Sequence, residues 1–174
     1  MKKTAILLFL IFVNYNYSQI IISNETDEFT KSKNITVGAF EKQKLSLKDN
    51  VSNDKNVSLY FYISYTKEID NKETQALLLS FWFPKNVCIV QGSSKIVIML
   101  SNNEILEYKS LGKTTCDKSI TAAYLFEDFT PYLNNEIKKI RVYTSEGYTD
   151  IEIKEDKKEI IRNSFKLLNS NINQ

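Results

Sequence analysis

The sequence predicts a mostly β fold: an antiparallel β-sandwich or barrel-like sheet of about eight or nine strands, with a C-terminal α-helix packed on it. Three observations carry that expectation. "VSLYFYISYT" alternates Val57, Leu59, Phe61, Ile63 and Tyr65 against Ser58, Tyr60, Tyr62 and Ser64, the period of a half-buried strand. "KIVIMLSNNEILEYKSL" and "IRVYTSEGYTDIEI" each set turn residues between two apolar runs, as hairpins do. "EDKKEIIRNSFKLL" spaces Ile161, Phe165 and Leu168 at i, i+4 and i+7, one face of a helix. The alternative architecture is an α+β layer, with both helices on one face of an antiparallel sheet.

The chain opens on "MKKTAILLFLIFVNYNYSQ". Lys2 and Lys3 precede the apolar run Ala5–Val13, which is shorter than the roughly 20 residues a membrane span needs and suits a secretory leader. Cleavage is expected after Ser18. Residues 1–18 then form a signal peptide and residues 19–174 a single β-rich domain of an exported protein, periplasmic or secreted. No cysteine directly follows the apolar run, so a lipid anchor is not expected.

Phe29, Ile35 and Val37 suggest an opening strand, and "NVSNDKN" from Asn50 to Asn56 reads as a polar loop. "KEIDNKE" turns the chain, because Asp70 and Asn71 tolerate unusual backbone angles. "QALLLSFWF" is apolar on both faces and reads as a central, covered strand ended by Pro84, with Trp82 in the core. In the next hairpin Asn102-Asn103 form a two-residue turn that pairs Leu100 with Ile105 and Val97 with Tyr108. "SITAAYLF" is a further strand. "EDFTPYLNNE" offers one or two helical turns, with Thr130 as N-cap and Pro131 at the first helical position. With Glu146-Gly147 at its tip, the last hairpin pairs Arg141 with Glu152 and Tyr143 with Asp150, and one face collects Ile140, Val142, Ile151 and Ile153. Asp156 with Glu159 resembles a capping box, and the tail "NSNINQ" is expected to fray.

Composition excludes more chemistry than it suggests. The chain holds 23 basic and 21 acidic residues, and removing Lys2 and Lys3 leaves 21 against 21. A neutral chain without a long basic run lacks the footprint of a nucleic-acid binder. Histidine is absent, which removes His-dependent nucleophilic catalysis and the commonest metal ligand. Gly38, Gly92, Gly112 and Gly147 stand singly, so no phosphate-cradling loop is built from neighbouring glycines. Cys88 and Cys116 are the two cysteines and are expected to form a disulfide, worth about 3.6 kcal/mol on the chain-entropy account.

No cofactor is implied. The acid pairs Glu127/Asp128 and Asp27/Glu28 are candidate hydrolytic carboxylates, and "TDE" and "EIDNKE" candidate calcium ligands. An acid pair at a helix start more simply compensates the helix dipole, and neither calcium candidate has the spacing of a known loop. Tyr60 and Tyr62 share the strand face opposite Leu59, Phe61 and Ile63. If open to solvent, they form a candidate binding face for a sugar or a partner chain.

"DEFT" at residues 27–30, the "KIRVYTSEGYTDIEI" hairpin and the closing helix together resemble a group of small, exported, uncharacterised bacterial proteins. That resemblance spans most of the mature chain and implies an exported β-rich domain. It carries no catalytic or binding residues, and Asn-Asn in "LSNNEI" stands where such proteins more usually have Asp-Gly. The functional expectation is a non-enzymatic binding or interaction module of the cell envelope, its partner a protein or glycan. A carrier of an apolar ligand and a carboxylate-based hydrolase are the alternatives.

Overall fold

The computed structural model describes residues 20–38, 45–48, 56–68 and 72–173. In chain order these form β1 (Ile20–Thr26), β2 (Lys33–Gly38), β3 (Leu45–Lys48), β4 (Asn56–Lys67), β5 (Glu73–Ile89), β6 (Lys95–Leu100), β7 (Ile105–Lys109), β8 (Thr115–Phe126), α1 (Thr130–Asn134), β9 (Ile137–Thr144), β10 (Gly147–Glu152) and α2 (Glu155–Ile172). The strands make two antiparallel sheets. One runs β1-β2-β4-β5-β8 with β3 also beside β4, and the other runs β10-β9-β6-β7. A bridge between Ser110 and Tyr124 joins them along the β7–β8 seam. This is the sandwich-like, mostly β arrangement with a C-terminal helix that the sequence predicts. The leader with its cleavage bond, most of the "NVSNDKN" loop, and Asp70 with Asn71 lie outside the described residues.

Strand alternation builds the core. Leu59, Phe61, Ile63 and Tyr65 of β4 are buried, as are Leu77, Leu79, Phe81 and Phe83 of β5 and Ile120, Ala122, Tyr124 and Phe126 of β8. Register places Phe61, Leu79 and Ala122 in one row across three strands. Each large side chain buried in this way contributes about 1.5–3 kcal/mol. Helix α2 closes part of this face: Phe165 meets Phe61 edge-on at 5.9 Å and stacks on Tyr132 at 4.6 Å.

Several local expectations are corrected. Phe29 sits in a turn and is 95% exposed, while the first strand is the more N-terminal β1. Pro84 does not end β5. The strand continues to Ile89 through a register irregularity between Trp82 and Val87, and such irregularities are among the places where a proline is tolerated. On its second face Leu78 is half-buried and Trp82 is 49% exposed rather than core.

The β6–β7 hairpin is one residue longer at its tip than predicted. Met99 pairs with Ile105 and Val97 with Glu107; Asn103 takes φ 66°, and its N–H donates to Leu100 O at 3.0 Å. That is the three-residue loop with a left-handed third position. The β9–β10 hairpin turns at Ser145-Glu146, so Arg141 pairs with Asp150 and Tyr143 with Tyr148. A shift of two positions preserves the faces, and Ile140, Val142, Ile151 and Ile153 are buried as expected.

Helix ends differ as well. Phe129 occupies the N-cap of α1, and the Thr130 N–H donates to Asp128 Oδ1 at 2.7 Å. Lys154 precedes α2 in extended conformation without a side-chain cap; Glu155 and Asp156 lie in the first turn, where carboxylates compensate the helix dipole. The tail is ordered to Ile172, because Lys33 Nζ donates to Asn171 O at 2.8 Å and satisfies a terminal carbonyl.

Candidate functional site

Alternation that buries one face of the six-stranded sheet presents the other outward. Register orders that outer face in rows across β2, β4, β5 and β8. Asn34, Thr66 and Thr74 make one row, and Thr36, Ser64, Ala76 and Leu125 the next. Gly38, Tyr62, Leu78 and Ala123 follow, then Ser80 with Thr121, and then Trp82 with Ser119. None of these residues is charged, although charged residues make up 25% of the chain. The first charge met at the β2 edge is Glu25 of β1, opposite Asn34.

The face combines hydroxyls with apolar rings. Ser80 and Thr121 share a hydrogen bond of 2.7 Å between their side-chain oxygens. Trp82 stands 49% exposed and Leu125 41% exposed, while Tyr62 is half-buried. Tyr62 gains that cover at Gly38. A Cβ there would lie 2.8 Å from Ile22 Cδ1 and 3.4 Å from Tyr62 Cδ1, so the missing side chain lets Ile22 and Tyr62 sit together. The backbone of Tyr60 pairs with Ser80, and its side chain lies outside the described residues.

The outer face of the other sheet is built in the opposite way. Arg141 grips Asp150 with two hydrogen bonds, and its guanidinium lies 4.1 Å from the centre of the Tyr148 ring. Lys95 pairs with Glu107 at 2.8 Å and approaches the Tyr143 ring, and Lys139 pairs with Glu152 at 3.2 Å. The Arg141 hydrogen bonds hold the Asp150 carboxyl below its usual range. Charge there is matched across strands, as expected of scaffold facing water.

Between β7, the end of β8 and α1 lies a groove of about 510 Å³, lined by Tyr108, Leu111, Leu125, Glu127, Asp128 and Pro131 among others. It brings together the Glu127/Asp128 pair singled out in the sequence. Glycoside hydrolysis needs one carboxyl kept protonated as general acid. Hydrogen bonds from the Thr130 side chain and backbone instead hold Asp128 below the usual carboxylate range, and it is spent ordering the start of α1. Asp27 likewise accepts the N–H groups of Phe29 and Thr30, at 2.8 and 2.6 Å, and shapes the turn after β1. Among the described residues no group of three or more acidic or cysteine side chains could hold a metal ion.

Cys88 and Cys116 form the expected disulfide and sit opposite one another on β5 and β8. Sequence reasoning found Tyr62 but assigned Trp82 to the core and left Leu78 and Leu125 unremarked. The signal was present. Leu77, Leu79, Phe81 and Phe83 have one parity in β5, and Leu78 and Trp82 have the other. Among the described residues no helix is long and apolar enough to cross a membrane. No family model, curated protein or solved structure matches this chain.

Proposed function

We propose that this chain is an exported, non-enzymatic binding module of the bacterial cell envelope, freed from its leader by cleavage after Ser18. It docks through the outer face of the six-stranded sheet. The observation that carries this reading is the uncharged stretch of that face from Thr66 and Thr74 to Trp82 and Ser119. A solvent-facing sheet in a chain with the ordinary share of charge has no structural need to exclude it, and the cores of interaction surfaces do. The Cys88–Cys116 bond suits an oxidising compartment. The filled aromatic cluster of Phe61, Phe126, Tyr132 and Phe165 favours a module over an interior carrier. Asp128, held below the usual carboxylate range by Thr130, is not the protonated acid a glycosidase needs.

Co-sedimentation of the mature, oxidised protein with isolated envelope material tests the reading. Wild type should be retained, and Trp82→Ala should lose retention while keeping its melting temperature. Equal retention of both, or none of either, would contradict it. An intact mass of the exported chain locates the cleavage bond in the same preparation.

A further inference from the structure

We infer that the outer face of the six-stranded sheet takes a neutral polysaccharide, laid flat across β4, β5 and β8 with the apolar faces of its rings on Trp82 and Tyr62. This rests on the binding-module reading and names the ligand class for that surface. Neutrality is the first argument. Covering a charged partner with a face that offers no counter-charge would desolvate that charge without compensation. Nucleic acids, acidic polymers and basic peptides are therefore disfavoured on this surface.

Composition separates a glycan from a neutral protein partner. Protein interfaces enrich aromatic residues but deplete serine and alanine. Here Ser80 and Thr121 are the described side chains in the row between the rings, Ala123 and Ser119 share the rings' own rows, and Ser64 and Ala76 lie in the next row. Small side chains beside it leave Trp82 49% exposed, with Tyr62 partly open, and each hydroxyl can both donate to and accept from a sugar hydroxyl. The Ser80–Thr121 pair, 2.7 Å apart, lies in the row between those of Tyr62 and Trp82.

Spacing gives the scale of the ligand. Tyr62 and Trp82 lie on neighbouring strands two rows apart, which strand geometry converts to a Cα separation of about 14 Å. An oligosaccharide reaches both rings, and a single sugar cannot. Aromatic side chains with a polar tip suit such a partner, whose pyranose faces are apolar and whose edges are hydroxylated.

Trp82 is the one tryptophan in the chain, so its emission reports on this surface alone. The mature, oxidised protein is titrated with cellohexaose and with laminarihexaose, and with glucose at equal ring concentration. The expected result is a saturable blue shift with at least one hexasaccharide, no shift with glucose, and no weakening at high salt. Tyr62→Ala should weaken the titration by about fivefold, the scale of one aromatic contact, with unchanged circular dichroism. In calorimetry Trp82→Phe should retain binding that Trp82→Ala loses. If neither hexasaccharide shifts Trp82 while an envelope protein or an anionic polymer does, the glycan assignment is overturned and the binding-module reading stands. If neither the hexasaccharides nor the envelope material shifts it, both fail.

Discussion

Trp82 and Leu79 share a strand and differ in which way they point. Leu79 is fully buried between sheet and core, so Leu79→Ala should cost about 2–5 kcal/mol in a urea melt. Trp82 stands half in water, and Trp82→Ala should cost less than about 1 kcal/mol despite removing the larger side chain. A loss above that of Leu79→Ala would mean that something in the folded chain covers Trp82. Asp150 behaves in the opposite way to an exposed ornament. Arg141 holds its carboxyl below the usual range, whereas an unfolded aspartate titrates near 3.9. Its stabilisation is therefore complete above about pH 4 and is lost as pH falls through the lower folded value. Denaturation at pH 7 and pH 3 should show Asp150→Asn less stable than wild type at neutrality, with the gap narrowing in acid.

The hairpins show which parts of an element a sequence determines by itself. Alternation settled the buried faces of β4, β9 and β10, because burying the wrong parity would expose a whole row of apolar side chains, and the i, i+4, i+7 spacing settled that of α2. Turn type was not settled in this way. Asn102-Asn103 suits a two-residue turn as well as the three-residue loop that forms, and the loop wins by turning Leu106 and Tyr108 partly inward beside Phe126. Only Asn103 has positive φ there. Asn103→Gly should then be neutral or stabilising by about 0.5 kcal/mol, and Asn102→Gly destabilising by a similar amount. A gain from both would indicate the shorter turn. The α2 terminus was illegible for a different reason: Lys33, which holds Asn171 O, lies far away in the chain.

At the scale of the whole molecule, one covalent tie and one interior decide stability. The disulfide closes β5 on β8, and next to it Cys88 O accepts the Ser145 N–H at 2.9 Å, linking the two sheets at that end. Replacing both cysteines by serine should cost about 2–4 kcal/mol in a denaturant melt. Burial pushes the Tyr65 phenol up to about 12, and raises those of Tyr108, Tyr124 and Tyr132 as well. The folded state keeps these protons longer than the unfolded chain, so stability holds below about pH 10 and declines as pH rises beyond it. The candidate site was half legible. Tyr62 followed from one strand's period, but an uncharged face exists only once β2, β4, β5 and β8 are laid side by side in register. The most direct test is side-chain NMR mapping of the mature protein with and without envelope material. The account predicts perturbations at Tyr62, Leu78, Trp82 and Leu125. Perturbations concentrated instead on Tyr143 and Tyr148, or on the core, would contradict it.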